Sequence, residues 1–70
     1  MKNELLGNRV YLVYQDWDDG LSQHVVAKNR KEAYKKVDFQ PSKVAWRPWL
    51  SVKGSRVVNS FGKDYGSVVL

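Results

Sequence analysis

Seventy residues make one small domain and leave no room for a second core. The chain has no cysteine, which excludes a disulfide, a thiol nucleophile and a zinc–thiolate site and fits a reducing cytoplasm. Twelve Lys and Arg against seven Asp and Glu give a net charge of +5. No apolar run approaches the roughly 20 residues that cross a bilayer, so the reading is a soluble chain with no membrane partner.

Residues 1–8 read as a loose arm. The opening MKNELLGNR lacks the apolar run of a signal peptide. Residues 9–27, RVYLVYQDWDDGLSQHVVA, read as a β-hairpin with Asp19-Gly20 as a two-residue turn. That turn sets Tyr14 opposite Val25 and Leu12 opposite Ala27. One face then carries Val10, Leu12, Tyr14, Leu21, Val25 and Ala27. The other carries Arg9, Tyr11, Val13, Gln15, Trp17, Ser22, His24 and Val26.

Residues 29–37, NRKEAYKKV, read as a short helix. Asn29 is placed to cap it, with Glu32 three residues on where a capping box wants it. Ala33, Tyr34 and Val37 share one side, and the helix is too short to stand without packing on the sheet. Residues 38–42 form a loop. Residues 43–53 alternate as a strand, with Val44, Trp46, Pro48, Leu50 and Val52 on the core side. Lys43, Ala45, Arg47, Trp49, Ser51 and Lys53 take the other side. Pro48 makes this an edge strand or marks a bulge. Gly54-Ser55 is a turn and residues 56–61 a fourth strand. Residues 66–70 either pair as a short strand or fray. The expected fold is α+β, an antiparallel sheet of three to four strands with one helix packed on one face, in the order β-β-α-β-β.

The positive charge lies in one central block. Residues 1–27 hold Lys2 and Arg9 against Glu4, Asp16, Asp18 and Asp19, a net of −2. Residues 28–37 hold five positive charges and Glu32, a net of +4, and residues 43–56 add another +4. Such a block attracts phosphates or an acidic protein surface, and it also serves plain solubility.

Two candidate surfaces follow. On the sheet face away from the helix, Lys43, Arg47, Trp49, Lys53 and Arg56 join Trp17, Tyr11 and His24. Aromatics set among Arg and Lys can stack bases and hold phosphates. The alternative is that Phe61, Tyr65 and the C-terminal VVL fold over this face and bury it. The second surface is the helix, where Lys31 and Lys35, with Lys28, Arg30 and Lys36, can grip phosphate without reading sequence.

Catalysis is not expected. His24 is the only histidine, and it sits mid-strand opposite Gln15. No serine lies in a nucleophile elbow and no glycine-rich phosphate loop is present. The acids of DWDDG lack the later ligands of a calcium loop, so neither a metal nor a cofactor is expected.

Ala27, Glu32 and Ala33 form the pattern A-x-x-x-x-E-A, and a later strand carries Arg47-Pro48. Over residues 10–49 this resembles the small phage-encoded inhibitors of bacterial RNA polymerase found in T7-like phages. That family also has a hairpin, one helix and a strand with arginine beside proline. Here the helix is basic where the family's is acidic, and the loop after it is shorter. The resemblance implies a phage or mobile-element accessory protein that blocks a host nucleic-acid enzyme, with Arg47 at the contact.

The functional expectation is a small, basic, non-enzymatic binding module. Its partner is DNA or RNA, or else a host protein of the nucleic-acid machinery. It acts as a monomer or, through the edge strand at residues 43–53, as a weak dimer.

Overall fold

A computed structural model describes residues 8–70, so most of the expected N-terminal arm lies outside the described residues. The strands are β1 (Arg9–Tyr14), β2 (Ser22–Ala27), β3 (Lys43–Trp46), β4 (Leu50–Lys53), β5 (Arg56–Asn59) and β6 (Asp64–Val69). One helix, α1 (Arg30–Lys35), lies between β2 and β3. The strands form one sheet in the order β3-β1-β2-β6-β5-β4. β2 and β6 run parallel, and the other pairs are antiparallel.

The α+β expectation of three to four antiparallel strands is therefore corrected to a mainly β fold with a six-stranded mixed sheet. Two local causes account for the extra strands. Residues 43–53 do not form one strand, because Pro48 has no amide to donate and the chain turns there. Leu50 N donates to Arg47 O at 3.1 Å, closing that turn between β3 and β4. The C-terminal residues also do not fray. Val68 and Val69 point to opposite faces of the sheet, and both faces are apolar at that point, so β6 lies in the middle of the sheet.

The hairpin register also differs from expectation. Tyr14 pairs with Ser22 and Tyr11 with Val25, a shift of three residues. The loop is wider than Asp19-Gly20. Gln15 N donates to Leu21 O at 2.8 Å, and Leu21 N donates to the Gln15 side-chain Oε1 at 2.9 Å. Gly20 fits because a Cβ there would lie 2.3 Å from Gln15 O. An odd shift exchanges which residues share a face. Tyr11 and Val13 now lie with Val25 and Ala27, and Val10 lies with Val26.

Both faces of the β1–β2 hairpin are consequently buried. On one side Tyr11, Val13, Val25 and Ala27 pack with Ala33 of α1, and Val37, Val44 and Val69 fill the edges. On the other side Val10 and Val26 pack with Leu50, Val57, Val52 and Val68. The sheet coils so that β4 returns against β1, and Arg47 N donates to Val10 O at 2.9 Å. Burying each such valine is worth about 1.5–3 kcal/mol.

Asn29 caps α1 as its spacing indicates. Glu32 N donates to Asn29 Oδ1 at 2.9 Å, while Glu32 Oε1 accepts from Lys28 N at 3.1 Å rather than from the cap residue itself. Lys36 Nζ donates to Val26 O at 2.7 Å and to Leu70 O at 3.3 Å. It thereby ties the end of α1 to the point where the β2–β6 ladder stops.

Candidate functional site

The turn at Pro48 projects Arg47 and Trp49 from the corner between β3 and β4. The Arg47 guanidinium sits over the Trp49 ring, 5.4 Å from its centre. Trp49 is 57% exposed, so this pair presents an aromatic face and a positive charge together.

His24 of β2 is half-buried beside this corner. Burial first, and the Arg47 charge second, push its pKa below the ordinary imidazole value of 6.5. Its ring meets Tyr65 edge to face, with centres 6.2 Å apart and planes at 70°. Tyr65 reaches that position through a bulge. Between Arg56 and Val58 the ladder shifts, leaving one extra residue in β6, and Gly66 adopts φ +105° there. Lys63 Nζ stands 5.3 Å from the centre of the Tyr65 ring. Arg47 adjoins Val10, which pairs with Val26 two residues along β2 from His24, so the Arg47–Trp49 pair and the group of His24, Tyr65 and Lys63 form a row of rings and cations on one face.

Asn59 shapes the end of that row. Its Oδ1 accepts from Phe61 N at 2.9 Å and Lys63 N at 3.0 Å, and its Nδ2 donates to Tyr65 Oη at 3.4 Å. The β5–β6 turn is thus held by Asn59, through its side chain and through its backbone bonds to Lys63 O and Gly62 N. Phe61 at its tip is 93% exposed and covers nothing. Of the alternative in which Phe61, Tyr65 and the C-terminal VVL cover the sheet face, Phe61 takes no part, but the face away from α1 is largely buried, by Val68 of β6 together with Leu50, Val52 and Val57.

The other residues singled out from sequence fall elsewhere. Tyr11, expected on the binding face, is only 2% exposed, because the shifted register turns it into the core under α1. Trp46, expected in the core, is 45% exposed. It lies opposite Tyr11 on β3, the edge strand among the described residues, and Arg9 stacks 4.7 Å from its ring centre. Trp17 is exposed at the β1–β2 tip among Asp16, Asp18 and Asp19, away from the Arg47 corner. Lys43 begins β3 opposite Tyr14, and Lys53 ends β4 opposite Arg56, so neither lies at the corner that joins their strands.

Arg56 is occupied. Its Nε donates to Asp64 at 3.0 Å, the one ion pair among the described residues. That bond first, and the Gly66 N–H second, hold the Asp64 carboxyl below the usual carboxylate range. Lys31 and Lys35 line a separate open depression on α1 with Asn29 and Glu32.

Lys63 and Tyr65 are the members of the row that sequence reading left out. Their only signal was glycine at position 66 in an otherwise strand-like run. Among the described residues no group of three His, Cys, Asp or Glu side chains gathers to hold a metal, and no helix is long and apolar enough to cross a membrane. No protein-family model, curated protein or solved structure matches the chain.

Proposed function

We propose that this chain is a small non-enzymatic module that binds nucleic acid through the face running from Trp49 to Lys63. The observation that supports this reading is the grouping of rings and cations, exposed Trp49, Tyr65 and Lys63 with half-buried Arg47 and His24. Stacking platforms interleaved with positive charge bind strands with little sequence preference, each stacked base being worth about 1–3 kcal/mol. Among the described residues neither Arg47 nor Lys63 is paired with an acid, which leaves their charge to phosphates. The reading sets this work in the cytoplasm, in keeping with a chain free of cysteine.

A titration of tryptophan emission with mixed-sequence DNA and RNA tests it. Quenching at low salt that weakens as salt rises is the expected result, with a logarithmic slope of about −0.7 per phosphate contacted on a single strand. Emission unchanged by any of these oligonucleotides at low salt would remove the proposal.

One observation favours a second reading, the binding and inhibition of a host nucleic-acid enzyme such as RNA polymerase. The β1–β2 tip exposes Trp17 and Leu21 beside Asp16, Asp18 and Asp19, a patch of opposite charge to the rest of the chain. Apolar anchors beside acids suit a basic protein partner. Capture of one stoichiometric partner from nuclease-treated bacterial lysate, lost on Trp17→Ala, is the result this reading expects.

A further inference from the structure

We infer that the depression between the start of β2 and the bulge of β6 seats one unpaired nucleobase, which makes a single strand the ligand of this face. The inference rests on the nucleic-acid reading and narrows its ligand. The depression holds about 260 Å³ and is lined by Ser22, Gln23, His24, Tyr65, Gly66 and Ser67.

It exists because two paired strands part company there. The parallel ladder joins β2 to β6 only at His24–Val68 and Val25–Val69. Before that point the extra residue at the bulge carries β6 toward β5, and Gly66 takes a backbone conformation that side-chain-bearing residues rarely adopt. Gln23 spans the gap, its Nε2 donating to His24 O at 2.9 Å and to Ser67 O at 3.2 Å.

The opening is equipped for a flat polar ring. Gln15 N bonds Leu21 O, so odd-numbered residues of β2 direct their amides at β1. Ser22 and His24 direct theirs toward β6. The ladder does not reach Ser22, so its N–H and C=O open onto the depression rather than onto a strand. The His24 and Tyr65 rings supply the aromatic wall. At 260 Å³ the space falls below the roughly 300–1,000 Å³ of pockets for drug-sized ligands and suits a single ring system.

Unpaired bases are recognised in this way, by an aromatic wall and by hydrogen bonds to an edge that pairing would otherwise occupy. Lys63 over Tyr65, and Arg47 on the same sheet face as His24, are cations that a strand entering and leaving the depression would meet with its phosphates.

The test compares three probes on the full chain by tryptophan emission. They are a single-stranded oligothymidylate, the same oligonucleotide with its central residues abasic, and a duplex of equal length. The expected result is that loss of the bases weakens binding about 5- to 160-fold, the loss of one stacked base, and that the duplex binds no better than the abasic strand. Tyr65→Ala should erase the difference between base-bearing and abasic strands, while Lys31→Ala preserves it. Tyr65 is exposed, so its variant keeps the fold, which an amide spectrum verifies. Equal binding of base-bearing and abasic strands to the unaltered protein, or preference for duplex, would overturn the base site and leave the nucleic-acid reading standing. Binding of none of the three would overturn both.

Discussion

The Arg47 guanidinium lies 5.4 Å from the centre of the Trp49 ring, with only Pro48 between the two residues in the chain. Proline thus does two jobs at once. It ends β3, and it turns the corner that brings a cation over an exposed indole. Trp49→Ala should lower affinity for single-stranded nucleic acid by about 1–3 kcal/mol. Its effect on folding stability should stay within about 0.5 kcal/mol, because the ring lies mostly in solvent. Oligonucleotide titration and urea denaturation of the same variant separate the two effects. A large loss of stability with unchanged binding would show the ring to be structural.

Tyr11 is the opposite case. It is buried among Val13, Val25, Ala27 and Ala33. Tyr11→Ala removes a large core ring, a change that typically costs about 3–5 kcal/mol. A single core in a chain this short rarely supplies more than about 3–5 kcal/mol. The variant should therefore be largely unfolded by circular dichroism. A folded Tyr11→Ala protein would mean that the hairpin register is wrong.

Val68 and Val69 close the two cores from the C-terminal strand. Replacing both by serine should unfold the chain or leave it with a collapsed melting transition. A frayed C-terminal segment would tolerate the change within about 0.5 kcal/mol, so thermal melting decides between a central strand and a loose end.

His24 makes binding and stability depend on pH in opposite directions. Its folded pKa lies below the ordinary 6.5. Between the two values the unfolded chain binds a proton that the folded chain refuses. Its contribution to stability is thus full above pH 6.5 and is lost as pH falls toward the folded pKa. Phosphates docked beside Arg47 would offset the charge that disfavours the imidazolium, so affinity should rise over the same descent. His24→Gln should remove both dependences between about pH 7.5 and about pH 5.5. Identical pH profiles for the variant and the unaltered protein would count against any role for His24 on this face.

What could be read from sequence was what depends on neighbours in the chain. The Asn29 cap and the brevity of α1 follow from local chemistry, and both are present, whereas Pro48, read as an edge position or a bulge in one strand, instead ends β3 and starts a turn to β4. The hairpin register was misjudged because Asp19-Gly20 is a favoured two-residue turn, whereas Gln15 closes a wider loop with its own side chain. That error of three residues placed Tyr11 on the wrong face. The central position of β6 was hidden for a different reason. A parallel partner lies far away in sequence, and a short run such as SVVL carries no sign of which strand it will join. Arg47 and Trp49 were legible as a pair because three adjacent residues determine them. Lys63 and Tyr65 were not, since a bulge and a distant strand bring them to His24.

The most direct test is an amide NMR titration of the labelled protein with a mixed-sequence single strand, followed by added salt. The account predicts shifts at Ser22, His24, Arg47, Trp49, Lys63 and Tyr65, with Trp17 and α1 unchanged. Shifts confined to Lys28, Lys31 and Lys35, vanishing with salt, would reduce the interaction to generic phosphate contact by the helix and contradict the site.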